Sequence, residues 1–174
     1  MFDLSLIHPM IVHFPIALLI VGFLSDLLGL IFKKDFFSRT GFYLLILGTI
    51  GVVAAYLTGT SAGEGITEAG TLKQALETHE NAGELTLWIM VFAALFRIAL
   101  VFTKKYKGVF QLIGLLIFFV GVLSIARTGF YGGELVFKHA AGVQFNLGAN
   151  FDSSSDENSG IQNADNEKEK NNDK

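Results

Sequence analysis

The chain has 174 residues, 51% of them hydrophobic and 17 of them phenylalanine, with a formal net charge of −3 that comes largely from its C-terminal tail. This composition suits a membrane protein of one domain better than a soluble globule. The absence of cysteine excludes disulfides, iron–sulfur clusters, thiolate zinc and covalently attached haem.

The N-terminal segment includes Ile7-His8-Pro9-Met10-Ile11-Val12-His13-Phe14-Pro15. Pro9 suits the first turn of a helix, where its missing N–H costs nothing. Pro15 removes the bond to the Ile11 carbonyl and favours a kink. His8 and His13 are five residues apart, about 140° around a straight helix. One helix face therefore does not carry both.

Apolar runs follow over residues 14–32, 42–57, 85–102 and 109–126. A hydrocarbon core of about 30 Å needs roughly 20 helical residues, and only helices satisfy their own backbone groups in lipid. The first run has no basic residues before it and no clear cleavage site, so it reads as a retained helix rather than a signal peptide. The third helix is expected to begin early, with Thr71 and Gln74 as a capping box. Leu72, Leu76, His79, Gly83 and Thr86 then recur at helical spacing, which turns His79 inward. Gly22 and Gly29, then Gly41, Gly48 and Ala55, then Gly114 and Gly121 repeat every seven residues, as close helix packing requires. The fold class is thus an all-α membrane protein with four transmembrane helices in a left-handed bundle. The domain is expected to span residues 1–148, followed by a disordered polar tail over 149–174.

Lys33, Lys34 and Arg39 follow the first run, and Lys104, Lys105 and Lys107 follow the third. The positive-inside rule puts both loops in the cytoplasm of a bacterial cell and both termini outside. His8, His13, His79 and His139 then share the outer boundary. Gly132-Gly133 is expected to turn the chain back over the bundle mouth, delivering Glu134 and His139 to that layer. Arg127 lies near the same boundary and calls for an anion: Glu64, Glu84, Glu134 or a haem propionate. Asp26 and Arg97 each lie about 9 Å inside the cytoplasmic end of their helices, a depth match that predicts a buried structural ion pair.

The segments His8-Pro9-Met10-Ile11-Val12-His13-Phe14-Pro15-Ile16-Ala17-Leu18 and Gly132-Gly133-Glu134-Leu135-Val136-Phe137-Lys138-His139, with Arg127, resemble domain-of-unknown-function family 2231, a group of bacterial four-helix membrane proteins. The resemblance covers roughly residues 5–145. It implies a membrane-embedded redox module of the cytoplasmic membrane that binds haem. Two imidazoles from separate elements suit a b-type haem. His13 with His79 is the first pair to consider, with His8 and His139 as substitutes and Arg127 on a propionate. A redox partner would then meet the outer face. The alternatives are a non-catalytic structural or partner-binding subunit without a cofactor, and a copper or zinc site from His79, His139, Glu134 and Glu80. All of these are carriers or subunits rather than stand-alone enzymes. No hydrolytic motif, nucleotide loop or nucleic-acid-binding patch is present.

Overall fold

The computed structural model describes residues 4–63 and 70–141 of the chain. Four helices account for nearly all of them: α1 (Leu4–Phe32), α2 (Asp35–Gly63), α3 (Thr71–Phe102) and α4 (Val109–His139). Each is longer than the apolar run that announces it, at 29, 29, 32 and 31 residues. At 1.5 Å per residue these are rods of about 43–48 Å, enough to cross the headgroup layers as well as the hydrocarbon. All four are long and apolar enough to span a membrane.

The connections at one end are short and locally determined. Lys33 and Lys34 join α1 to α2, with Lys33 left-handed at φ 52°. Residues 103–108 join α3 to α4, with Lys104 at φ 57° and Gly108 at φ 58°. At the opposite end α4 runs to His139 and closes at Ala140 (φ 49°). There the N–H groups of Ala140 and Ala141 donate to the carbonyls of Val136 and Leu135 at 3.1 Å, a Schellman-type stop. α3 starts at Thr71, but its cap is the Gly70 backbone: the Gln74 N–H donates to the Gly70 carbonyl at 3.3 Å, and no side chain caps the turn. The expected Thr71–Gln74 capping box is therefore not formed.

α1 packs on α2, α2 on α3, α3 on α4 and α4 on α1. α1 and α3 consequently face each other across one diagonal of the bundle, and α2 and α4 across the other. The middle is closed by Leu19, Met90 and Phe118, all essentially inaccessible, with Leu45, Val52, Ala93, Ala94 and Ile125 around them. Small residues permit this approach. A side chain at Gly48 would strike Leu19, and one at Gly121 would strike the Met90 sulfur. The outer surface is the inverse of a soluble protein's, with Phe14, Leu47, Ile50, Trp88, Phe92, Leu95, Leu116 and Leu123 exposed. A cover of this kind is stable only against lipid, and the protein is a multi-pass membrane protein.

Candidate functional site

The rotation of α1 is set by Pro15, which is buried against Gly51; a Cβ added there would lie 3.0 Å from the proline Cβ. Pro15, Leu19 and Asp26 are all buried, so this face points inward. His8 lies seven residues before Pro15, two helical turns back on the same face. It is half-buried, whereas His13 is turned outward and exposed, with its Nδ1 donating to the Pro9 carbonyl at 2.6 Å. The prolines do not bring the two histidines together. His79 meets His8, and the structure does not bring the expected pair of His13 and His79 together.

The two rings stand 6.4 Å apart between centroids, at 77° to one another. They come from α1 and α3 and meet across the diagonal. The other two helices complete the layer. His8 Nδ1 lies 3.2 Å from Thr58 Oγ1 on α2. The Thr58 hydroxyl proton is directed to its own helix, to the Ala54 carbonyl at 2.9 Å or that of Ala55 at 3.1 Å. Its oxygen therefore accepts, and His8 Nδ1 donates. His79 Nδ1 lies 3.2 Å from the Thr128 carbonyl on α4, which only accepts. Both imidazoles thus carry their proton on Nδ1 and keep the Nε2 lone pair. Gly59 and Gly132 make room for them: an added Cβ would fall 2.8 Å from His8 Cε1 and 3.1 Å from His79 Cε1 respectively.

Gly132 therefore serves as space for a ring, not as a hinge. The helix continues through Gly132-Gly133 to His139 because a turn at this depth would leave backbone groups unpaired. His139 stands eleven residues beyond Thr128 on α4, about 16 Å further along the axis, and does not join the pair. It lines a polar groove at the helix end with Thr71, Gln74, Thr78, Tyr131 and Glu134. Glu134 pairs with Lys138. Glu80 is half-buried against Gly63. The expected set of His79, His139, Glu134 and Glu80 is not brought together, and no group of three or more His, Cys, Asp or Glu side chains converges among the described residues. Arg127 is exposed; its Nε donates to Tyr131 Oη at 3.3 Å, and its guanidinium lies 5.3 Å from that ring. Neither Glu84 nor Glu134 pairs with it, and Glu64 lies outside the described residues.

Beneath the histidines, Thr86 Oγ1 shares hydrogen bonds with Ser124 Oγ (2.7 Å) and Thr128 Oγ1 (2.8 Å), joining α3 to α4. Leu19, Met90 and Phe118 then fill the cross-section. Beyond them comes a second diagonal pair. Arg97 donates from Nη2 to Asp26 Oδ1 at 2.9 Å and from Nη1 to Oδ2 at 3.1 Å, and it also donates to the Ser38 carbonyl at 3.0 Å. Tyr106, from the α3–α4 connection, donates to Asp26 Oδ2 at 2.9 Å and stacks on the guanidinium with its centroid 3.0 Å from Cζ.

The two layers share one register. His8 and Asp26 are eighteen residues apart on α1, and His79 and Arg97 are eighteen apart on α3. Eighteen residues are five helical turns, so each helix shows both of its polar groups on one face, about 27 Å apart. That spacing approaches the hydrocarbon thickness. Each polar pair therefore lies near one edge of the apolar region, with a largely apolar plug between that includes the buried Thr49, bonded to its own helix at the Leu45 carbonyl. Among the described residues no continuous chain of side-chain hydrogen bonds links the two layers.

These features define a polytopic four-helix membrane protein whose buried polar groups are concentrated near the two edges of its apolar core. The chain belongs to the family described as Predicted membrane protein (DUF2231), whose model matches residues 5–145. Neither a curated protein nor a solved structure matches it.

Proposed function

We propose that His8 and His79 would hold a b-type haem, and that the protein is an electron-transfer module with that cofactor at one face of the membrane. The observation that carries this is the donor set: two imidazoles from opposite helices, each held through Nδ1–H with Nε2 left to bind. Fixing one ring nitrogen on an oxygen acceptor is how proteins orient a ligating histidine. The two rings stand 6.4 Å apart between centroids, on helices that face each other across the bundle.

The number of ligands favours haem over a bare ion. Zinc and copper sites draw three or four ligands from the protein, whereas a macrocycle supplies four of its own and asks only for axial groups. Haem would supply one-electron exchange. The protein's share is to hold two neutral imidazoles in a layer screened from water on its inner side by Thr86, Met90 and Phe118. Arg127 points away from this layer, so no propionate role is assigned to it. By the positive-inside rule, Lys33, Lys34, Arg39, Lys104, Lys105 and Lys107 mark the cytoplasmic end of a bacterial cytoplasmic membrane protein. The histidine layer then faces the extracytoplasmic side, where a redox partner would dock.

The test is an absorption spectrum of protein purified from a haem-replete host, oxidised and then reduced with dithionite, with metal content measured on the same sample. A Soret band that sharpens and shifts on reduction is expected, with one iron per chain. A colourless protein with stoichiometric zinc or copper would transfer the pair to a metal ion. A colourless, metal-free protein that takes up no haem would leave the layer as a structural polar clamp.

A further inference from the structure

The lipid-facing side of the α3–α4 hairpin has two openings that lie in line. Trp88, Ile89 and Phe92 of α3 with Ile117 and Val120 of α4 form an apolar groove of about 390 Å³. The polar groove that includes Thr78, Tyr131 and Glu134 lies towards the histidine end on the same side. At 100° per residue, Val120, Arg127, Tyr131 and Glu134 project within a sector of about 60° on α4, so Arg127 stands between the two openings. It is the first charge after the apolar run 109–126, and it adjoins Thr128, which marks the histidine layer. Trp88 is nine residues deeper than His79, about 13 Å towards the bilayer centre.

Arg127 at this depth is, among the described residues, a cation without a counter-charge. Among the described residues no carboxylate forms an ion pair with it: Glu134 is taken by Lys138, and Glu84, exposed on α3, does not reach it. Its Nε is satisfied by Tyr131, and neither terminal nitrogen has a hydrogen-bond partner among the described residues. Because Tyr131 Oη accepts that bond, the tyrosine proton is also free to donate. The Arg127 terminal N–H groups and the Tyr131 hydroxyl are therefore offered at the edge of the hydrocarbon, above a groove with almost no polar lining, while the Glu84 carboxylate is exposed on the neighbouring helix.

We propose that this face binds one phospholipid, with its phosphodiester on Arg127 and Tyr131 and an acyl chain along Trp88, Phe92, Ile117 and Val120. Charge complementarity selects the anion: a guanidinium in apolar surroundings gains most from a phosphate oxygen, through charge-assisted bonds that bulk lipid chains do not provide. Continuity with the apolar groove selects a lipid over free phosphate. The assignment rests on the outer face of α3 and α4 and is independent of what His8 and His79 hold.

Trp88 is the only tryptophan of the chain, and it lines the groove. Its fluorescence, in uncharged maltoside micelles, reports binding of phosphatidylglycerol brominated on its acyl chains. Saturable quenching is expected. The midpoint should move at least tenfold higher in Arg127→Gln, and likewise for wild-type protein titrated with a brominated diacylglycerol that has the same chains and no phosphate. Inorganic phosphate should not reverse the quenching. Equal midpoints for the phospholipid and the diacylglycerol on wild-type protein would overturn the assignment without any variant. So would an unchanged midpoint in folded Arg127→Gln, reversal by inorganic phosphate, or displacement by a prenylated quinone at lower mole fraction than by unbrominated phosphatidylglycerol.

Discussion

Replacing Asp26 by leucine removes the carboxylate from a guanidinium that is only 3% exposed. Arg97 would keep one acceptor, the Ser38 carbonyl at 3.0 Å, while its Nε already has no partner among the described residues. The Tyr106 hydroxyl would lose its acceptor as well. Breaking a buried pair by removing one member costs about 3–5 kcal/mol. In a membrane the unfolded helices also find partners, which shifts the expectation to the lower end, about 3 kcal/mol, or somewhat more than a hundredfold in the folding equilibrium. Arg97→Met should cost a similar amount by stranding Asp26. The double variant Asp26→Leu/Arg97→Met strands neither charge and should recover at least about 2 kcal/mol relative to the sum of the single losses. Reversible unfolding in mixed micelles of rising dodecyl sulfate fraction, followed by far-ultraviolet circular dichroism, measures all three. Single variants within about 1 kcal/mol of wild type, or losses that simply add in the double variant, would refute the view that this pair fastens α1 to α3.

The glycines make a paired prediction. Gly132→Val places carbon against the His79 ring, where even a Cβ would lie 3.1 Å from Cε1, and should cost about 1–3 kcal/mol by overpacking. Gly133→Ala meets nothing within 4 Å and should be neutral or stabilising by up to about 1 kcal/mol through helix propensity; a large loss there in the same unfolding assay would restore a hinge at this step. Thr58→Val removes the acceptor of His8 Nδ1. On the haem reading it should weaken haem binding about 10–100-fold, as loss of an orienting partner does, with Thr58→Ser close to wild type in a haem titration.

The four spans and the family were open to sequence reasoning because lipid imposes one rule, a long apolar helix, and leaves few alternatives. The Asp26–Arg97 match in depth was equally visible, since helical rise turns sequence position into height. Choosing between His8 and His13 was also within reach. The seven-residue repeat of Gly22 and Gly29 extends back through Pro15 to His8, and the eighteen-residue intervals on α1 and α3 select the same residue. The proline flanks frame both histidines equally and do not distinguish them.

Gly132-Gly133 misleads for a physical reason. In water a glycine pair signals a turn, but at the membrane edge the backbone keeps its helical bonds, and the missing side chain becomes room for an imidazole. The contributions of Thr58 and Thr128 were beyond the sequence. One acts through a hydroxyl and the other through its main-chain carbonyl, and neither has a spacing rule that links it to a histidine on another helix. The outward direction of Arg127 depends on the rotation of α4, which Phe118 and Ile125 set by packing into the core.

The central claim is that His8 and His79, out of four histidines, form one ligand pair. Haem titrated into the purified protein and into each of four single His→Ala variants tests it directly. Wild type, His13→Ala and His139→Ala should each take up one equivalent and give the same reduced spectrum, while His8→Ala and His79→Ala should each lose the six-coordinate form. Uptake that survives in His8→Ala and His79→Ala but fails in His13→Ala or His139→Ala would contradict the account.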